Sequence, residues 1–137
     1  MTENTNVRER WGIAPYFIVD DVVSTANFYL DKLGFSYERF WGEPASFCMV
    51  KRGGIVIMLS QLEESGHMLP NALAEPGRGG PWDAYIWIEN ADSLLAEFKS
   101  KGVPIAREIC DQMYGCRDFE VLDTNGYRLC FGQDLML

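Results

Sequence analysis

The chain repeats one plan, and that repetition limits what it can fold into. In the first half, apolar Tyr16 to Val19 is followed by Asp20-Asp21 and then by Val22, Ala26, Tyr29, Leu30 and Leu33 at helical spacing, with Gly34 as the stop. In the second half, Tyr85 to Ile88 precedes Asn90 as a cap, Ala91, Leu94, Leu95 and Phe98 as an apolar stripe, and Gly102 as the stop. A strand runs on from each stop glycine, Phe35 to Phe40 and Val103 to Ile109. Each half then ends in two strands about a tight turn: Ser46 to Lys51, Arg52-Gly53, Gly54 to Gln61; and Arg117 to Asp123, Thr124-Asn125, Gly126 to Gln133. A βαβββ unit is duplicated. The predicted class is α+β, built from two such modules. Residues 1–137 make one domain: module one about 12–61, a linker at 62–81, and module two about 82–133. The linker carries three prolines and four glycines, which suits a loop or mobile flap with one short turn near Leu69 to Ala74; His67 reads as a solvated loop residue.

A chain of 137 residues buries enough surface to hold a core without disulfides or structural zinc. Its formal charge of −8 repels phosphate-rich polymers and anionic membrane surfaces, so neither nucleic acid nor membrane is an expected partner. The polar start, Met1 to Trp11, has no apolar leader, and a cytoplasmic location is expected. Cys48, Cys110, Cys116 and Cys130 form no CxxC pair and have only His67 as an imidazole partner, which excludes an ordinary zinc site. Cys110 and Cys116 can approach across a hairpin, although in a reducing compartment both read as small hydrophobes.

Strand alternation assigns two faces. Phe17, Val19, Ile55, Ile57, Leu59, Ala84, Ile86, Ile88, Phe119, Val121, Tyr127, Leu129 and Phe131 are apolar and belong under the helices. The opposite set mixes aromatic, acidic and small residues: Ala14, Tyr16, Ile18, Val56, Met58, Ser60, Asp83, Tyr85, Trp87, Asp118, Glu120, Arg128 and Cys130. A ligand belongs on that second face.

Three segments, FIVDDVVSTANFYLDKLGFS, DAYIWIENADSLLAEFKSKGV and YGCRDFEVLDTNGYRLCFGQ, resemble the vicinal oxygen chelate superfamily, which includes glyoxalase I, extradiol dioxygenases and bleomycin resistance proteins. The resemblance implies a fold in which the two βαβββ modules form a curved, half-open mixed sheet around a cavity with the helices on its outer face, and it implies a dimer. Metal-dependent members of that family carry His and Glu ligands at positions that fall here on Ala14, Met58, Asp83 and Cys130, which leaves too few donors for a catalytic cation. No cofactor is expected; Asp83, Glu120 and Cys130 are the residues from which an unconventional metal site could be built. The similarity is greatest to the metal-free bleomycin resistance proteins, through GFSYERF, Tyr85-Ile86-Trp87 and YGCRDF.

That likeness implies a binding protein that sequesters a cationic, aromatic ligand or antibiotic in a groove shared by two copies. Aromatic rings would stack on Phe40, Tyr85, Trp87 and Tyr114, while Glu38, Asp118 and Glu120 would hold positive charge. Arg128 would either neutralise a neighbouring carboxylate or orient a ligand carbonyl. The alternative is an enzyme: a lyase, isomerase or dioxygenase with an unconventional metal, or an acid/base catalyst using Glu120 or Asp83. A domain that only mediates contacts is the third reading.

Overall fold

The structure is a computed structural model in which residues 9–71 and 81–137 are described. The part of the Leu69 to Ala74 turn beyond Asn71 lies outside the described residues. Helix α1 spans Val22–Leu33 and α2 spans Ala91–Ser100. Asp21 starts α1 by accepting from the amides of Val23 and Ser24, and Asn90 starts α2 by accepting from Ser93. Each cap is worth about 1 kcal/mol. Gly34, at φ 74°, ends α1 by donating its amide to the Tyr29 carbonyl. The turn after α2 is closed by Lys101 and the positive-φ Gly102.

Strands β1 (Tyr16–Val19), β2 (Phe40–Trp41), β3 (Phe47–Arg52) and β4 (Ile55–Gln61) make one sheet, in the order β1-β4-β3-β2. Strands β5 (Ala84–Ile88), β6 (Ile105–Asp111), β7 (Cys116–Leu122) and β8 (Arg128–Asp134) make a second, in the equivalent order β5-β8-β7-β6. In both sheets the first strand pairs parallel to the last, and the other pairings are antiparallel. The duplication read from the sequence is therefore a duplication of topology. The two sheets are open and separately hydrogen-bonded.

The third element of each module departs from a plain strand. Ser36 bridges Lys51 alone, and pairing resumes only where Phe40 meets Cys48. One side of this ladder carries one residue more than the other, which is a bulge. In module two, register shifts flank Arg107, which pairs with Glu120 between Ile105 opposite Val121 and Cys110 opposite Asp118. A one-residue slip moves every later side chain to the other face of a sheet, and this decides several site residues below.

Phe17, Val19, Ile57, Leu59, Phe119, Val121, Leu129 and Phe131 are buried as their alternation requires, in one core with Tyr29 of α1 and Phe98 of α2. Ile55, Ala84 and Ile88 pack at its edge. The same core joins the modules. Phe17 stacks on Tyr127 with ring centroids 4.1 Å apart. Tyr29 donates to buried Asp123 at 2.6 Å, and Asn125 donates to the Thr25 hydroxyl at 2.9 Å. On the other side Arg52 grips Glu97 through two bonds of 2.7 and 2.8 Å. No helix among the described residues is long and apolar enough to cross a membrane.

Candidate functional site

The sheet faces turned away from the helices carry the chemistry. On module two, Asp118 is fully buried and every one of its acceptor positions is engaged. Oδ2 accepts from the phenols of Tyr85 at 2.8 Å and Tyr114 at 2.6 Å; Oδ1 accepts from Gln112 at 3.0 Å and from Arg107. Burial alone would push this carboxyl up, but the bonds from Tyr114, Arg107, Tyr85 and Gln112 outweigh it and hold Asp118 below the usual carboxylate range. Both phenols are driven the other way, first by burial and then by their bond to Asp118, so neither serves as a base near neutral pH.

Both oxygens of Glu120 are engaged as well. Its Oε2 accepts from Arg107 Nε at 2.8 Å and its Oε1 from Arg128 at 2.8 Å. The sequence led us to expect Asp83, Asp118 and Glu120 against Arg128 alone, and therefore free negative charge on this face. Arg107 corrects that count. It belongs to a run whose alternation, Ile105, Arg107, Ile109, points to the core, and the bulges turn it to the opposite face. A charged residue within an apolar alternation was the one available signal. Arg128 thus takes the neutralising role that was one of its two readings.

Tyr85 is the centre of an aromatic run on this face, 5.0 Å from Trp82 and 4.9 Å from Trp87 between ring centroids. Trp87 is 61 % exposed and Tyr114 is 49 % exposed, so both present ring area to solvent while Asp118 fixes Tyr114 by its hydroxyl. Glycine at position 132 is what lets the Tyr85 ring cross β8, because any β-carbon there would overlap it.

Module one brings Trp41, Phe47, Met49, Met58 and Tyr16 to the corresponding face: Trp41 lies opposite Phe47, and Met58 lies between Met49 and Tyr16 in register. Phe47 is 5.6 Å from Trp41 and 6.4 Å from Tyr16, and the Arg39 guanidinium sits 4.7 Å over the Trp41 ring. Phe40 is not part of this face. The bulge places it opposite buried Cys48, where it packs against Tyr37 and the core, and Trp41 takes the position expected of it. Glu38 is exposed in a shallow depression with Arg39, Trp41, Met49 and Lys51, on a different sheet from Asp118 and Glu120. Tyr85, Trp87, Tyr114, Asp118, Glu120 and Arg128 are brought together; Glu38 and Phe40 are not.

The residues of the unconventional metal site do not fit a cation. Asp83 spends both oxygens on the amides of Asn71 and Arg128, at 2.9 and 2.8 Å. Glu120 is held by two guanidinium groups, and burial next to Asp118 and Glu120 pushes the Cys130 thiol up to about 12, which keeps it protonated. Among the described residues no group of three or more His, Cys, Asp or Glu is placed to hold a metal. Cys110 is exposed and Cys116 buried, and neither is bonded to the other. A cleft of about 650 Å³ lies between the modules, beside α2.

Two copies of a βαβββ module, each with a helix on one sheet face and an aromatic-lined face opposite, define a small duplicated α+β scaffold that leaves its aromatic faces open. The model of the Glyoxalase/Bleomycin resistance protein/Dioxygenase superfamily matches residues 13–131, and the chain belongs to that superfamily. Among solved structures, the bleomycin-binding protein of Streptomyces verticillus complexed with copper(II)-bleomycin is 23% identical, with a TM-score of 0.64 over 93% of this chain and 97% of that one. TnmS3, an antibiotic binding protein of Streptomyces sp. CB03234, is 17% identical, with a TM-score of 0.69 over 94% and 99%. Lactoylglutathione lyase of Agrobacterium tumefaciens is 16% identical, with a TM-score of 0.66 over 94% and 99%. At these identities the likeness is one of fold. A comparison with curated proteins finds no match.

Proposed function

We propose that this protein is a metal-free binder of a small, flat, cationic aromatic molecule, of the kind the antibiotic-sequestering members of the superfamily take up. The observation that carries the proposal is the aromatic run Trp82, Tyr85 and Trp87, half-buried at its first two rings, exposed at Trp87 and held in place through Asp118. Ring stacking contributes about 0.5–1.5 kcal/mol per pair beyond burial. Preference for a cation comes from the ring faces and from the field of a chain with charge −8. Direct contact with Asp118 or Glu120 is no part of it, because their oxygens are already satisfied by Arg107, Arg128 and their other donors. Those two carboxylates position the rings and the guanidinium groups instead.

Each aromatic face is open on a single chain, and the second wall of the groove is supplied by a second copy. The aromatic face of module one, built on Trp41, Phe47 and Tyr16, is the surface suited to that role. The same proposal places the protein in the cytoplasm, where exposed Cys110 stays reduced. Titration with copper(II)-bleomycin and a panel of cationic polycyclic compounds, followed by tryptophan fluorescence, is expected to give saturable quenching that is lost in Trp87→Ala. An unchanged emission across the panel, or quenching that survives this substitution in full, would overturn the assignment.

A further inference from the structure

The cleft between the modules shares Trp87 with the aromatic run but opens beside α2, and the internal duplication explains why it exists. The register pair Tyr16 and Met58 of the first sheet corresponds to Tyr85 and Cys130 of the second, and Val22 at the start of α1 corresponds to Ala91 at the start of α2. Counting outward from these, Phe17 corresponds to Ile86, Tyr127 to Ile55, Thr25 to Leu94, Tyr29 to Phe98 and Asn125 to Gly53. On one side of the molecule the module-two hairpin docks on α1: Phe17 and Tyr127 stack, Tyr29 reaches Asp123, and Asn125 reaches Thr25, all of them buried. On the other side the module-one hairpin approaches α2 with Ile55, Ile86 and Gly53 where the first side has tyrosine, phenylalanine and asparagine. A β-carbon added at Gly53 would meet nothing within 4 Å. The space not filled there is the cleft of about 650 Å³, whose lining includes Gly53, Ile55, Ile86, Leu94 and Phe98.

We infer that this cleft is a second ligand site, one that takes a planar aromatic molecule. Its volume is within the range of small-molecule pockets, and the place it occupies is one that a stacked aromatic pair fills in the other half. The charged pair on its wall, Arg52 with Glu97, is joined by two hydrogen bonds and is neutral as a unit, so it offers no net charge to an ionic ligand. Most of the remaining wall is apolar side chains from both modules, with Glu89, Asn90 and Ser93 at the start of α2 forming a polar edge, which makes the site sensitive to how the modules sit on one another.

The neutral probe N-phenyl-1-naphthylamine tests this in the full chain, read by its own fluorescence and by methyl resonances. The expected result is saturable one-site binding that shifts the methyls of Ile55, Ile86 and Leu94 and leaves those of Met49 and Met58 in place. Restoring the residues of the duplicate with Ile55→Tyr and Ile86→Phe is expected to fill the cleft and weaken the probe by about tenfold or more. Leu94→Phe, a smaller intrusion, should give a partial loss should the double variant fail to fold. Shifts confined to Met49 and Met58, binding untouched by the filling variants, or cleft methyls that move only with protein concentration would each overturn the inference, the last by showing that a second copy covers the cleft.

Discussion

Tyr85 crosses the chain at Gly132, with its ring in the volume a β-carbon there would need, and its phenol reaches Asp118 at 2.8 Å. Gly132→Ala leaves the backbone free to keep its strand conformation but displaces that ring. Because Tyr85 also packs against Trp82 and Trp87, the whole aromatic run shifts with it. A loss of about 1–3 kcal/mol in stability is expected from overpacking, together with weaker quenching by an aromatic ligand. Urea denaturation and fluorescence titration of the same variant check both. An unaltered titration would mean that the placement of Tyr85 does not control the face.

Removing the carboxylate beneath those rings has a different signature. Asp118→Ala leaves Arg107 without one of its two carboxylates and leaves two phenols without an acceptor, so a loss of about 3–5 kcal/mol is expected. The pH dependence follows from the direction of its shift. A carboxyl held below its unfolded value contributes its full stability above the ordinary carboxylate range, and that contribution is lost as pH falls through the folded value. Wild-type stability should therefore fall on acidification from pH 5 to about pH 2, and the Ala variant should lose part of that slope. Urea midpoints across this window measure it.

The duplication, both helices with their caps and both closing hairpins were legible in the sequence, because each rests on short-range patterns: helical spacing, Asp21 and Asn90 before the first turn, and a tight turn between alternating runs. The bulged strands were not. Alternation extrapolated from Phe35 puts Phe40 on the ligand face and leaves Arg107 facing the core, and a single extra residue in each strand reverses both assignments. Nothing local marks such an insertion, since it is selected by what lies opposite, Cys48 in one sheet and Glu120 in the other. The charge of the site was misjudged for the same reason: a carboxylate count made without Arg107 leaves Asp118 without a guanidinium partner. Trp41 and Phe47 were missed because they share a face only after the bulge.

The joint between modules depends on one buried acid. Asp123 accepts from Tyr29 and from the amides of Asn125 and Tyr127, and burial nevertheless raises its carboxyl above the usual range. Tyr29→Phe removes a donor without removing volume, and about 1–3 kcal/mol of stability should go with it. Because the shift of Asp123 is upward, its contribution has the opposite sign to that of Asp118. It is present below the ordinary carboxylate range and is lost as pH rises through the folded value; the bond from Tyr29 opposes that loss by favouring the ionised carboxylate, so Tyr29→Phe should be most damaging at neutral pH. A thermal denaturation series from acid to neutral pH tests this ordering, and an equal penalty at every pH would contradict it.

The proposed groove makes a prediction about mixtures. If a ligand is held between module one of one copy and module two of the other, Trp41→Ala and Trp87→Ala each damage both grooves of their own homodimer. In a mixed dimer the two substitutions fall together in one groove, and the other groove has both tryptophans intact. Co-refolding the two variants in equal amounts should then restore saturable binding to about a quarter of the wild-type site number, because half of the dimers are mixed and each of these carries one good groove of two. Where a single chain supplies the whole site, every mixed dimer has two damaged sites and mixing restores nothing. Ligand titration of the variants apart and co-refolded, at equal total protein, separates the two arrangements without requiring the identity of the natural ligand, since any aromatic compound that quenches the wild type can serve as the probe.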